Sequence, residues 1–462
     1  MRKENITIVI ILLLGLVLRI VNLNQSLWLD EAAQVIESSR PFLSQFDIPA
    51  DFHPPLYHLI LHFWMYWGKS EAWIRLPSVL FGLLSIFILF QLGKSIKKEK
   101  EGLLAAAFLA LSPYHLWYSQ EARPYMLFVF VSLLSTYFLI YKRWLYYSLT
   151  ILFSLYSLYF APFLIVSHLF YIYLFQKKDL MIFVKTQVLT GVFFLPWVPS
   201  LFTQLKVGTQ GLFTGWTNVV SIMPIRVPFT TFAKFIFGHG KIEDNIVYIG
   251  VLFPILLIFL LSILKTYREK SGQTLILLFF TPFISAISIS FFIPIIAPQR
   301  LIFLLPIFYL IIALGIFRLS NNWQKWAVFM VILVSLLGIV QYYTNPYTQR
   351  EKWKEATFFV EEREDEKVIA LFVFPEPFAP YLWYKKDKIE AVGIAPKFIL
   401  QDEDLINLGS ILTNKKKIYL FQYLTGLTDP KEKTREFLIK EDYKESSIKD
   451  FPGVGFVYVY ER

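Results

Sequence analysis

Eleven apolar runs, most close to the roughly 20 residues that span a bilayer, constrain this chain more than anything else in it. They fall at Ile6–Val21, Leu76–Leu92, Leu103–Leu116, Tyr125–Tyr141, Leu145–Phe160, Pro162–Phe175, Leu180–Leu201, Ile246–Leu264, Leu275–Ile296, Leu301–Phe317 and Trp326–Tyr342. A backbone in lipid has no water to satisfy its N–H and C=O groups, so such runs fold as helices. The expected class is a polytopic α-helical membrane protein with about 11 transmembrane helices. The first run continues into Arg19 and Asn22 without a small-residue cleavage site, so it reads as a span and not as a signal peptide.

Charge placement divides the rest. Thr344–Arg462 carries 19 Lys+Arg against 21 Asp+Glu, and the residues before it carry 26 against 14. Residues 1–343 therefore read as a membrane domain and 344–462 as a soluble α/β domain beginning after the Asn345-Pro346 turn. Strands are expected at Val368–Phe374, Ile418–Phe421 and Val454–Tyr460, with helices over Glu351–Glu364 and Lys431–Lys440. The basic excess is split into short clusters between spans, which argues against a nucleic-acid surface. The absence of Cys excludes disulfides and thiolate chemistry.

Those clusters also orient the chain. Arg2/Lys3, Lys94/Lys97/Lys98/Lys100, Lys142/Arg143, Lys177/Lys178, Lys265/Arg268/Lys270 and Arg318/Lys325 fall at alternate turns, which puts them on the cytoplasmic side of a plasma membrane. The amino terminus then lies inside. Two long loops, 22–75 and 202–245, and the tail lie outside.

No Asp or Glu falls within the spans, and of the Lys and Arg only Arg19 and Lys185 do. The polar groups gather instead at the outer surface. Asp30 and Glu31 follow the first span; Asp51 and His53 precede Pro54-Pro55; Arg75 opens the second span; Glu121, Arg123 and Tyr125 lie between the third and fourth; Lys234 and His239 lie in the second long loop; Arg300 opens the tenth span. A carboxylate can take a proton from an attacking hydroxyl or amine, while arginines, with or without a divalent metal, hold a phosphate leaving group. ATP and nucleotide sugars are scarce outside the cytoplasm, so a membrane-bound polyprenyl-phosphate sugar suits such a surface. Plainer roles stand beside these: a helix cap for Asp30, a helix-start charge for Glu31, turn residues at Asp51 and His53, a surface pair for Glu121 and Arg123, headgroup anchors for Arg75 and Arg300. Trp64, Trp67, Trp117 and Tyr118 read most simply as an interfacial belt.

The strings SLWLDEA, DFHPPLYHLILHFW, RLPSVLFGLL, LSPYHLWYSQEARPYML and PQRLIFLLPIFYL resemble bacterial members of glycosyltransferase family 39. These are relatives of the dolichyl-phosphate-mannose protein mannosyltransferases and of the lipid A aminoarabinose transferase, with the GT-C fold. The first four strings span Ser26–Leu127; beyond them the likeness rests on topology and the tail. The resemblance implies an inverting transfer of one sugar from a polyprenyl phosphate to an extracytoplasmic acceptor, whether glycan, lipid or protein. It implies that Asp30 is the acceptor-activating or metal-side carboxylate with Glu31 beside it, that Arg123 reads the donor phosphate, and that Arg300 is a looser match. His53 departs from it, since the aminoarabinose branch has Lys before the Pro-Pro. His53 and Arg75 join the arginines as candidate phosphate ligands, and Asp30, His53 and Glu121 are the candidate ligands for a divalent metal. The rival readings are a transporter or flippase of lipid-linked sugars and a non-catalytic envelope assembly protein. A transporter predicts repeated halves and midplane polar groups, and neither is visible in the sequence.

Overall fold

A computed structural model describes residues 3–48, 51–209, 223–240, 242–293, 295–362, 365 and 367–462. Arg2, parts of both long loops and residues 363–364 of an expected helix lie outside these. The chain forms two compact units. One contains Met1–Leu23, Pro41–Leu205 and Val220–Thr348; the other is built from Asn24–Arg40 and Gln349–Arg462, with the chain from Lys206.

The first unit is helical: α1 (Lys3–Ile20), α3 (Leu56–Trp64), α4 (Glu71–Ser95), α5 (Glu99–Ala110), α6 (Pro113–Ser119), α7 (Tyr125–Ile140), α8 (Trp144–Leu155), α9 (Ala161–Phe175), α10 (Leu180–Phe194), α11 (Val198–Thr209), α12 (Val227–Phe237), α13 (Asn245–Thr266), α14 (Lys270–Ser290), α15 (Leu305–Ile316) and α16 (Asn321–Thr344). α2 (Leu29–Ser39) belongs to the other unit. Each of the eleven apolar runs is helical over most of its length. Among the described residues six helices are long and apolar enough to cross a membrane, and α7, α8 and α9 are shorter apolar helices. The chain is a multi-pass membrane protein. α15 is buried on every side and forms the centre of the bundle.

One span departs from expectation. The run Leu103–Leu116 breaks after Ala110, and α6 restarts at Pro113, whose missing N–H suits a first helical position. The Ser112 hydroxyl accepts the His115 N–H to cap the restart. The break lets buried Arg19 serve as a hub. Its guanidinium donates to the carbonyls of Gly15 at 2.9 Å and Ala110 at 3.1 Å and to Ser119 Oγ at 3.1 Å, and it lies 2.8 Å from His115 Nδ1. Gly82 permits this close packing, since a Cβ there would fall 2.4 Å from Ser119 Oγ.

Three of the basic loops meet at one end of this unit. Arg318 pairs with Glu101 at 3.0 Å and with Glu269 at 2.7 Å, and Lys98 lies 3.4 Å from Glu269. The hydrogen bonds from Arg318 hold the Glu269 carboxyl down at about 2. Three loops far apart in sequence thus share one face.

The second unit holds α17 (Trp353–Val360), β1 (Val368–Phe372), α18 (Ala379–Tyr384), β2 (Glu390–Gly393), α19 (Asp402–Ile411), β3 (Lys417–Phe421), α20 (Thr425–Thr428), α21 (Lys433–Lys440), β4 (Lys444–Phe451) and β5 (Gly455–Glu461). The sheet order is β2-β1-β3-β5-β4, parallel about β1 and antiparallel from β3 to β4. Ile369, Leu371, Ile418 and Leu420 face one core with Leu408 and Leu438. Phe372 and Phe421 stack at 4.6 Å on the other face, with Trp353 5.8 Å from Phe421. β2 and β4 are edge strands that hydropathy patterning does not predict; β4 is exposed along seven of its eight residues and has no apolar face to advertise it.

Candidate active site

Three of the loops that carry the expected site residues lead into helices whose far ends carry the basic clusters: Arg75 opens α4, Arg123 precedes α7 and Arg300 precedes α15. The arginines therefore occupy the end of the first unit opposite the Arg318 cluster. Asp51 Oδ1 accepts the His53 backbone N–H at 3.0 Å, a short side-chain-closed turn, and Pro54-Pro55 stiffens the chain before α3 begins. His53 Nδ1 lies 2.6 Å from Asp51 Oδ1 and 3.0 Å from Arg123 Nη2. Asp51 Oδ2 is 3.0 Å from His58 Nε2 and 3.7 Å from Arg123 Nη1. The backbone of Arg123 is held in turn: its N–H donates to Glu121 O at 2.8 Å, and its carbonyl accepts from Ser78, which bonds Tyr57 at 2.8 Å.

Burial sets the charges. It pushes His53 below its ordinary value, the Arg123 guanidinium pushes the same way, and Arg300 adds to it, against the pull of Asp51. Burial acts upward on Asp51, yet His53, Arg123 and the hydrogen bonds from both histidines hold its carboxyl well below the usual range. Burial thus favours the neutral imidazole of His53, and Asp51 is held as a carboxylate beside the Arg123 guanidinium.

These shifts set a pH dependence. Below the ordinary histidine value of 6.5 the unfolded chain takes up a proton at His53 that the folded chain refuses, so stability falls with pH, and Asp51 extends the loss further into acid. A melting series in detergent from about pH 8 to about pH 5 should show a Tm that falls as the pH drops through the histidine range, with that fall flattened in His53→Gln. An equally steep series in that variant would remove His53 as the cause.

An aromatic wall continues from this cluster. His53 meets Tyr125 edge-on at 6.1 Å, Tyr125 meets Tyr118 at 5.0 Å, and His239 lies 5.8 Å from Tyr118 and 4.4 Å from Trp117. Lys234 Nζ sits 3.3 Å from His239 Nδ1, and burial lowers the Lys234 ammonium. Trp117 Nε1 donates to buried Glu121 at 3.0 Å. Trp117 and Tyr118 are therefore part of this wall and more than a belt. Trp64 and Trp73 stack at 4.7 Å, whereas Trp67 is exposed as an interfacial residue would be. The surface-pair reading of Glu121 and Arg123 does not hold, because both side chains are buried.

Arg75 is buried and donates to the Leu23 carbonyl at 2.8 Å, a tether for the chain leaving α1. Arg300 donates to the Ile295 carbonyl. Asp30 and Glu31 belong to the other unit, because α2 folds with the C-terminal chain. α2 starts one residue before Asp30 with Trp28 at its cap position, so Asp30 is not the side-chain cap. Glu31 is fully buried.

Asp30, His53 and Glu121 are the residues expected to hold a divalent metal. Among the described residues no group of three or more His, Asp or Glu side chains is placed to hold a metal ion. His53 Nδ1 is engaged by Asp51 and Arg123, a Glu121 oxygen takes the Trp117 N–H, and the cation beside Asp51 is a guanidinium. His58 and Tyr57 were not singled out from the sequence, although both lie in the string DFHPPLYHLILHFW; a histidine five residues after another carries no helical or strand signature.

Residues 52–202, a third of the chain, match the family model described as dolichyl-phosphate-mannose-protein mannosyltransferase. No curated protein matches the sequence. Among solved structures, apo ArnT from Cupriavidus metallidurans is similar at 12% identity, with a TM-score of 0.60 over 98% of this chain and 97% of that one. The Archaeoglobus fulgidus oligosaccharyltransferase, crystallised with zinc and sulfate, is similar at 11% identity and a TM-score of 0.56 over 98% and 72%. The mycobacterial arabinofuranosyltransferase AftD gives 11% and 0.57, with 100% of this chain and 40% of that one. The chain has the GT-C fold.

Proposed function

We propose that this protein is an inverting glycosyltransferase that moves one sugar from a polyprenyl-phosphate donor to an acceptor outside the cytoplasmic membrane. The observation that carries the reading is buried Arg123, its Nη2 3.0 Å from His53 Nδ1 and its Nη1 3.7 Å from Asp51, with Arg300 within electrostatic range of the same imidazole. The guanidinium groups of Arg123 and Arg300 each offer a planar set of donors that suits phosphate oxygens at headgroup depth. ArnT from Cupriavidus metallidurans has been crystallised bound to undecaprenyl phosphate, which supports a lipid phosphate as the ligand class. The wall of Tyr125, Tyr118 and Trp117 suits the apolar face of a sugar ring.

In the reaction, Asp30 takes the proton of an acceptor hydroxyl or amine as that group attacks the anomeric carbon. The bond to the phosphate breaks, and the arginines hold the departing lipid phosphate with its added charge. A single attack from the face opposite the leaving group inverts the centre. Inversion itself rests on the analogy of fold and on Asp30 as the one base.

Purified protein offered a synthetic polyprenyl-phosphate sugar and a nucleotide sugar should form product from the first alone. Transfer from the nucleotide sugar overturns the donor assignment; movement of lipid-linked sugar across vesicles without product favours a transporter. The orientation has its own test. With the amino terminus inside and the C-terminal domain outside, protease added to intact spheroplasts removes that domain; full protection reverses the orientation and moves the site with it.

A further inference from the structure

Glu351 lies where the chain passes into the second unit, and no sequence motif marks it. Its half-buried carboxyl collects donors from three parts of that unit. Tyr423 donates its hydroxyl at 2.9 Å, Trp353 donates Nε1–H at 2.7 Å, and the backbone of Leu29, the first residue of α2, also hydrogen-bonds it. α2 has no side-chain cap of its own, so Glu351 supplies one from more than three hundred residues away. Gly453, at φ +83°, makes room for it, since a Cβ there would lie 2.8 Å from Glu351 Cα.

The residues leading into α2 are fastened to the same place. Gln25 accepts the Arg350 N–H at 2.7 Å and donates to Gln349 at 2.7 Å; Ser26 accepts the Lys354 N–H at 3.0 Å; Leu27 N–H donates to the Tyr384 hydroxyl at 2.8 Å. Asp30, one residue beyond Leu29, lies within electrostatic range of both Glu351 and Tyr423. Burial raises the Glu351 carboxyl to about 7 despite its donors, and Asp30 adds to that rise. A surface hydroxyl would cap a helix at less cost than a desolvated carboxyl beside a second one. The arrangement is therefore more than a cap requires.

We propose that Glu351 is a positioning residue for Asp30: held between Trp353 and Tyr423, it fixes the first turn of α2 and so the direction in which Asp30 is presented. This rests on the reading of Asp30 as the proton acceptor. It also assigns the C-terminal unit a part in the reaction, as the frame that carries the Asp30 helix.

The test uses the full-length purified protein with a polyprenyl-phosphate sugar. Glu351→Ala should lower kcat by about 10²-fold with the donor KM unchanged, because a misdirected group costs rate and not donor affinity. Glu351→Gln, which keeps an acceptor oxygen at the same reach, should recover most of the rate. In single-turnover measurements Glu351→Ala should cost nothing further once Asp30→Asn is present, since it acts through Asp30. Full kcat in Glu351→Ala, a loss that appears only as less folded protein, or equal losses with and without Asp30→Asn would each overturn the proposal. If Asp30→Asn alone keeps its turnover, the reading of Asp30 fails separately. Hydrogen exchange of the α2 amides in Glu351→Ala then decides the anchoring, with unchanged exchange overturning it.

Discussion

Asp30→Asn is expected to lower turnover by about 10²–10⁴-fold, the contribution of a positioned general base, while expression and donor binding persist. The substitution keeps size and removes the charge, so it isolates proton transfer from packing. α2 does not depend on Asp30 for its cap: the Leu29 amide is met by Glu351, and the cap position is Trp28. A fold-wide loss of stability is therefore not expected from the change. Glu31→Gln should be milder in rate, although Glu31 is fully buried and its loss is felt in packing. The measurement is kcat and KM on a polyprenyl-phosphate sugar with purified protein, and wild-type turnover in Asp30→Asn would remove Asp30 from the chemistry.

Arg123→Ala should weaken use of the lipid-phosphate donor by about 10²–10³-fold, the usual loss when one preorganised donor to a developing anion is deleted. The guanidinium is buried, it meets both His53 and Asp51, and its deletion leaves the Asp51 carboxylate without its nearest arginine. Arg123→Lys should recover only part, because an ammonium supplies charge without the planar fork. Arg300→Ala should be milder, since part of that side chain is spent on the Ile295 carbonyl. Donor kinetics of the three variants settle this, and unchanged kinetics in Arg123→Ala would defeat the phosphate assignment. Stability must be followed in parallel, as Asp51 without Arg123 is a buried charge with less compensation.

Much of the architecture is local and was legible. Spans are runs of apolar residues, basic loops alternate with polar ones, and the meeting of Arg318, Glu101 and Glu269 at one end agrees with that alternation. The strands β1, β3 and β5 announced themselves because one of their faces is apolar. The string from Asp51 to His58 held most of one cluster because its turn is closed by its own side chain.

Sequence alone determined whatever a few neighbouring residues can specify: which segments form long apolar helices, how basic clusters alternate with them, and which strands of the tail carry an apolar face. Only the tertiary structure decided that α2 folds with the C-terminal unit, that Arg123 turns toward His53 and Asp51, and that Glu351 stands at the start of the Asp30 helix. Gln25 and Gln349 are 324 residues apart, and Arg123 and His53 are 70 apart. Hydropathy and helical period report on neighbours within a turn or two. A hydrogen bond between single polar side chains so distant in sequence imposes no periodicity on either segment, so it becomes visible only when the packing of the helices and the sheet has brought its two ends together.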